Sequence, residues 1–201
     1  MRMEKRMDNT LWKRLKWAGT TAMLCSAVIF SGVSCSEDDE DSGGSEFPME
    51  VKIIDGHPNM PVSGTISAQY GGTSSGTALD KIVDNNVTTC YQVNKNRFYV
   101  IFEANQGVAA NYYSIRVGNG AADNDPRSWT LYGSNDGASW TTLDSQQGQT
   151  YANRYGEKSY LFVNEVAYRY YKLEVEENAG GASTQIAEWI LEQKDVSFTP
   201  D

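Results

Sequence analysis

From Gly64 onward, apolar positions alternate with polar ones in runs too short for helices of any length. Ile66 and Ala68 begin the alternation, and Tyr113, Ile115 and Val117 repeat it. Further runs occupy 129–134, 140–143, 159–163, 168–175 and 186–191. A period of two sends successive side chains to opposite faces, so each run predicts a strand. Between Arg97 and Glu103, Phe98, Val100 and Phe102 alternate with Tyr99 and Ile101, which predicts a strand buried on both faces. The stretch Ser128–Trp140, SWTLYGSNDGASW, predicts a tight hairpin whose turn is centred on Asp136-Gly137, because glycine reaches positive φ and aspartate bonds its own backbone. Two strands alone are marginal in water, so a second sheet must cover this hairpin. Residues 78–83 predict a single helical turn. Short strands broken by Gly, Asn and Asp turns predict an all-β sandwich, one domain of about 130 residues spanning 62–194.

The two ends of the chain follow different rules. Residues 1–34 combine Arg2, Lys5, Arg6, Lys13, Arg14 and Lys16 with an apolar run from Trp17 to Val33, the pattern of a secretory signal. An uncleaved anchor helix is the alternative, although Thr20, Thr21, Ser26 and Ser31 make it a poor membrane span. Gly32-Val33-Ser34-Cys35 resembles a bacterial lipobox, which implies that Cys35 is the lipidation site; an ordinary cleavage site is the alternative. Ser36-Glu37-Asp38-Asp39-Glu40-Asp41 resembles the acidic tract of Gram-negative surface lipoproteins, and is equally a solvated tether. Residues 35–61 are therefore expected to be an acidic, flexible tether and 195–201 a C-terminal tail. The expected location is the outer membrane, lipid-anchored and facing the cell exterior.

Charge narrows the partners. The chain has 17 basic and 26 acidic residues, a net charge of −9. The leader holds six basic and two acidic residues, so the remainder carries 11 against 24, a net −13. That balance argues against nucleic acid and against charge-driven binding to anionic bilayers. With Cys25 in the leader and Cys35 acylated, Cys90 is alone, so the mature domain holds no disulfide.

Three segments in register resemble the coagulation factor 5/8 C-terminal (discoidin) domain, whose bacterial branch is carbohydrate-binding module family 32. They are Lys81-Ile82-Val83-Asp84-Asn85-Asn86-Val87-Thr88-Thr89-Cys90-Tyr91, then Asp125-Pro126-Arg127-Ser128-Trp129 through Ser134-Asn135-Asp136-Gly137 to Trp140, then Arg169-Tyr170-Tyr171-Lys172-Leu173 with Ile186-Ala187-Glu188-Trp189. Asn85 stands where the family has glycine, and asparagine also visits positive φ. Tyr91 stands in place of tryptophan. The resemblance implies a discoidin-like jelly-roll β-sandwich of about eight main strands with binding loops at one end.

Two constellations follow. The resemblance implies structural calcium, held by the carboxylates of Asp84 and Glu188, the carbonyls of Lys81 and Ala187, and the carbonyl and hydroxyl of Thr89, with Asn86 as a further oxygen donor. The bland alternative has Asp84 capping the preceding turn and Glu188 paired with a cation. The second constellation is a glycan site, with Tyr70 and Tyr91 as platforms and Asn119, Asp123, Asn124, Arg127 and Asn178 as polar contacts. Arg127 and Asp125 are also expected to pair. Galactose-binding relatives often use a histidine and a loop aromatic; His57 lies outside those loops and 179–183 carries no aromatic, so the ligand differs or the sugar site is degenerate. No loop histidine stands ready as a base, and Cys90 reads as an inert thiol, so no catalytic residues are expected. The chain is therefore expected to be a non-catalytic binding module of a surface lipoprotein that captures glycans or glycoproteins; the alternative is an assembly subunit of a cell-surface complex.

Overall fold

Phe98, Val100, Phe102 and Ala104 are buried in alternation with more exposed neighbours, and they mark the inner face of the strand at the heart of the molecule. The computed structural model describes residues 49–53 and 60–200. The strands are β1 (Met49–Ile53), β2 (Met60–Pro61), β3 (Gly64–Ala68), β4 (Tyr91–Val93), β5 (Phe98–Val108), β6 (Tyr112–Arg116), β7 (Pro126–Ser134), β8 (Thr141–Gln146), β9 (Glu157–Leu161), β10 (Tyr168–Asn178), β11 (Thr184–Ile186), β12 (Glu188–Gln193) and β13 (Val196–Pro200). One sheet runs β3-β5-β10-β7-β8 and the other β2-β12-β6-β9, while β11 pairs with β4 and β1 with β13. Every pairing is antiparallel. This is the expected all-β sandwich.

The two sheets meet through aromatic side chains. Trp129 of β7 is fully buried, and its indole N–H donates to the Tyr113 hydroxyl of β6 at 2.9 Å. That hydroxyl donates in turn to Asp144 Oδ2 of β8 at 2.6 Å. Burial, with Asp144 adding to it, drives the Tyr113 pKa far above the usual phenol range, so the hydroxyl stays a donor. Each buried N–H or O–H that finds a partner avoids a desolvation cost of roughly 1–3 kcal/mol. Tyr160 stacks on Tyr113 at 5.0 Å, and Phe102 meets Trp189 edge to face at 6.4 Å.

Several local expectations change. Tyr99 and Ile101 are half-buried rather than buried, since they point to the outer face of the larger sheet. Lys172 lies across that face, 4.4 Å from the Tyr132 ring centre and 4.9 Å from that of Trp140. The connection between β7 and β8 is a wider loop, Asn135–Trp140, rather than a tight turn. Gly137 has φ +69, as its position requires, while Asp136 Oδ1 accepts from the amides of Ala138 and Ser139 and from the Ser134 hydroxyl. The single helical turn is present as a 3-10 turn, Leu79–Ile82, with Ile82 fully buried. The run at 186–191 divides at Ala187, where the chain leaves its pairing with β4 and joins β6.

β1 falls within the expected tether and β13 within the expected tail; they pair with Met49 opposite Pro200 and Ile53 opposite Val196. The leader, Cys35, the acidic tract and His57 lie outside the described residues.

Candidate functional site

Asp84 and Glu188 are distant in sequence and adjacent in the fold. The turn Leu79–Ile82 delivers the first, and the start of β12 the second. Asn85 adopts φ +56, the conformation expected of the residue in the glycine position, and this folds the loop back onto Asp84. The Asn86 amide donates to Asp84 Oδ1 at 3.0 Å, and the Thr89 hydroxyl donates to Asp84 Oδ2 at 2.9 Å. Burial pushes the Asp84 carboxyl up, but the Thr89 hydroxyl, the Asn86 amide and the Lys81 ammonium together hold it below its ordinary value. For Glu188, burial wins: its pKa is raised, the Asn86 and Asn85 amides opposing and the Asp84 charge adding. Glu188 is only 3% exposed, and its Oε1 has no hydrogen-bond partner.

A buried carboxylate oxygen without a partner, beside a second carboxylate and a hydroxyl, is a donor set that suits a hard cation. The Lys81 ammonium lies 3.5 Å from Asp84 Oδ2 and supplies part of the missing positive charge. Asn86 contributes less than expected, because its Oδ1 already accepts from the Thr88 hydroxyl at 2.7 Å and the Thr88 amide at 3.1 Å. Ala187 is fully buried, its amide donating to the Arg116 carbonyl at 2.8 Å.

Beside this corner, five loops are laced into one end of the sandwich. The Thr73 amide bonds the Gln92 carbonyl at 2.9 Å, and Gln92 Nε2 bonds Ser183 Oγ at 2.9 Å. Thr184 Oγ1 donates to the Lys95 carbonyl at 2.7 Å. Gln185 accepts from the Gly120 amide at 3.0 Å and donates to the Ala121 carbonyl at 3.1 Å and to Asp125 Oδ1 at 3.2 Å. Arg154 grips Asp125 with both Nη atoms, Nη1 to Oδ1 at 2.8 Å, and also donates to the Gly120 carbonyl. Gly181 leaves no room for a side chain: a Cβ there would fall 2.0 Å from Asn124 Oδ1.

The expected sugar contacts separate into two groups. Tyr70, at 37% exposure, presents its ring with the Lys95 ammonium 5.0 Å from the ring centre. Asn119, Asp123 and Arg127 are exposed, and Asn124 is half-buried. Tyr91 and Asn178 belong to the interior. Tyr91 is fully buried edge-on to Phe98, its hydroxyl donates to the Tyr70 carbonyl at 2.6 Å, and burial pushes its pKa up to about 12. It supports the platform rather than forming one. Asn178 Nδ2 donates to the carbonyls of Gly181 at 2.9 Å and Ser183 at 2.8 Å, which fixes the last loop from beneath. The partner of Asp125 is Arg154, not Arg127, whose Nη1 instead lies 3.9 Å from Glu177 Oε1. Arg154 and Gln185 carry no mark in the sequence, since only the fold brings them to Asp125.

Cys90 is half-buried, and burial pushes its thiol pKa up, away from the nucleophilic thiolate. A cavity of about 510 Å³ opens at the opposite end, where β5 finishes, lined by Pro61, Asn105, Val108, Ala167 and other uncharged residues.

The sequence matches no protein-family model and no curated protein. Solved structures do match. An F5/8 type C domain from Bacteroides fragilis superposes with a TM-score of 0.57 at 12% identity, over 68% of this chain and 97% of that one. The family 32 module of NanJ from Clostridium perfringens, in complex with galactose, gives 0.56 at 12% identity, over 68% of this chain and all of the other. The family 32 module of AlyQ, in complex with 4,5-unsaturated mannuronic acid, gives 0.53 at 20% identity, over 67% and 98%. The chain spans only 34% of a longer AlyQ structure that also holds an alginate lyase domain. At these identities the likeness is one of fold: the chain carries the discoidin-like jelly roll of F5/8 type C domains and family 32 carbohydrate-binding modules.

Proposed function

We propose that this domain is a non-catalytic module that captures glycans or glycoproteins through its apical loops, on a lipoprotein at the outer face of the outer membrane. The observation that carries the reading is the likeness to family 32 modules solved with galactose and with 4,5-unsaturated mannuronic acid. The apex suits such a role. Tyr70 offers an aromatic face, Asn119, Asp123 and Arg127 offer exposed hydrogen-bonding groups, and the braces beneath keep the loops from paying an ordering cost on binding. The leader and Cys35 support the lipid anchor.

Calcium completes this reading. The carboxylates of Asp84 and Glu188, the Thr89 oxygens and the carbonyls of Lys81 and Ala187 would hold it. It would supply the positive charge that the orphaned Glu188 oxygen lacks, tying the Asp84 loop to β12.

A second reading, an assembly subunit of a surface complex, is favoured by Leu161, Val163 and Val166, which are 37%, 61% and 49% exposed near the end opposite the apex. A glycan array followed by isothermal titration separates the two. Sugar binding that is lost on Tyr70→Ala supports the first. No sugar bound at millimolar concentration, together with a stable protein partner for the isolated domain, would replace it with the second.

A further inference from the structure

Ion pairing accounts for most of the described basic side chains. Lys81, Arg116, Arg127, Arg154, Arg169, Lys172 and Lys194 each lie within 4.0 Å of a carboxylate oxygen. Lys158 has no carboxylate but donates to Gln149 Oε1 at 2.6 Å. Lys95 and Arg97 remain, and among the described residues neither makes an ion pair. In a chain of net charge −9, carboxylates are plentiful, so two cations left without them on one loop call for a reason.

Their setting supplies one. Both are exposed, two residues apart, on the connection between β4 and β5. That connection is held from below by the fully buried Thr184, through its bond to the Lys95 carbonyl, and is joined to the Tyr70 loop through Thr73 and Gln92. The Lys95 ammonium lies over the exposed Tyr70 ring. The Tyr70 ring with the Lys95 ammonium beside it, and the exposed Arg97 two residues further along the same loop, bring an aromatic surface, a point charge and a guanidinium fork to neighbouring loops of the apex.

We infer that the glycan taken by this apex is anionic, and that Lys95 and Arg97 receive its carboxylate or sulfate while Tyr70 supports the ring. This inference rests on the glycan-binding reading and names the ligand class within it. The recognition is local. The chain as a whole repels an acidic ligand, so the affinity must come from charge-assisted contacts at this loop rather than from long-range attraction.

The test is calorimetric, on the lipid-free chain. Uronic acid oligosaccharides (mannuronate, galacturonate and glucuronate), their uncharged methyl esters, sulfated galacto-oligosaccharides and neutral galacto-oligosaccharides are titrated separately. The uronate or the sulfated series is expected to bind at least about tenfold more tightly than its uncharged counterpart, and comparison of the two series identifies the anion. Lys95→Gln with Arg97→Gln is expected to abolish that preference while leaving the melting temperature and the affinity for neutral sugar unchanged. Arg169→Gln, on an exposed cation that already has Glu103, is expected to leave it intact. Neutral sugars or methyl esters binding as tightly as the acids would overturn the inference and leave the glycan reading standing. No binding in any series would overturn both.

Discussion

Two places on this domain invite a ligand through their charge, and their signs are opposite. At the Asp84–Glu188 corner, two carboxylates adjoin and a buried oxygen lacks a partner. On the 94–97 loop, two exposed cations make no ion pair among the described residues. Most other described cations are matched, as at Arg154–Asp125, Arg116–Glu157 and Lys172–Glu174. Burial separates their consequences. A buried imbalance costs stability until something closes it, whereas an exposed one costs little and can persist as a recognition feature. The corner should therefore report on stability, and the loop on affinity alone.

The matched pairs supply the strongest perturbation. Asp125 is almost fully buried, and Arg154→Met would leave its carboxylate without its cation. We expect a loss of roughly 2–3 kcal/mol by urea unfolding, below the usual figure for a broken buried pair because Arg154 is about a quarter exposed. Adding Asp125→Asn should restore part of it; an unchanged unfolding midpoint in the single variant would show that the pair is not a brace.

Next in size is calcium. An ion present at a hundred times its Kd would stabilise the fold by about 2.7 kcal/mol, so chelation should lower the melting temperature by several degrees. Asp84→Ala should remove that sensitivity. The same melting curve in calcium and in chelator would count against a bound ion at the corner and leave Lys81 to offset Asp84. The loop comes third: Lys95→Gln with Arg97→Gln should weaken an acidic glycan about tenfold with no change in melting temperature.

The smallest effect belongs to the β7–β8 loop. The Ser139 and Ala138 amides, with the Ser134 hydroxyl, hold the Asp136 carboxyl far below its ordinary 3.8. A carboxyl lowered on folding stabilises the protein at neutral pH, and that contribution fades as pH falls below 3.8 toward the folded value. Asp136→Ala should therefore melt a few degrees lower at neutral pH, and the gap should close in strong acid. A gap independent of pH would place the effect in the backbone instead.

How far the sequence carried can be read from particular residues. The alternation of Phe98, Val100 and Phe102 and the turn at Gly137 were legible because period and positive φ are local properties. Asp84, Asn85 and Thr89 were legible together because one loop holds them. Tyr91 was misread as a platform, since a tyrosine beside a polar loop looks the same whether it points outward or packs on Phe98. The pairing of Arg154 with Asp125 and of β1 with β13 depends on contacts between distant segments, which no local pattern encodes. Lys95 and Arg97 carry no local mark either: that neither makes an ion pair among the described residues depends on where distant carboxylates fall.

The most direct test of the central claim is a crystal structure of the chain grown with calcium and soaked with galactose and galacturonic acid, the metal identified by anomalous scattering. The expected result is a calcium ion between Asp84 and Glu188 and a sugar against Tyr70, its acid group turned toward Lys95 and Arg97. A sugar bound away from the apical loops, or an apex left bare at saturating ligand, would contradict it.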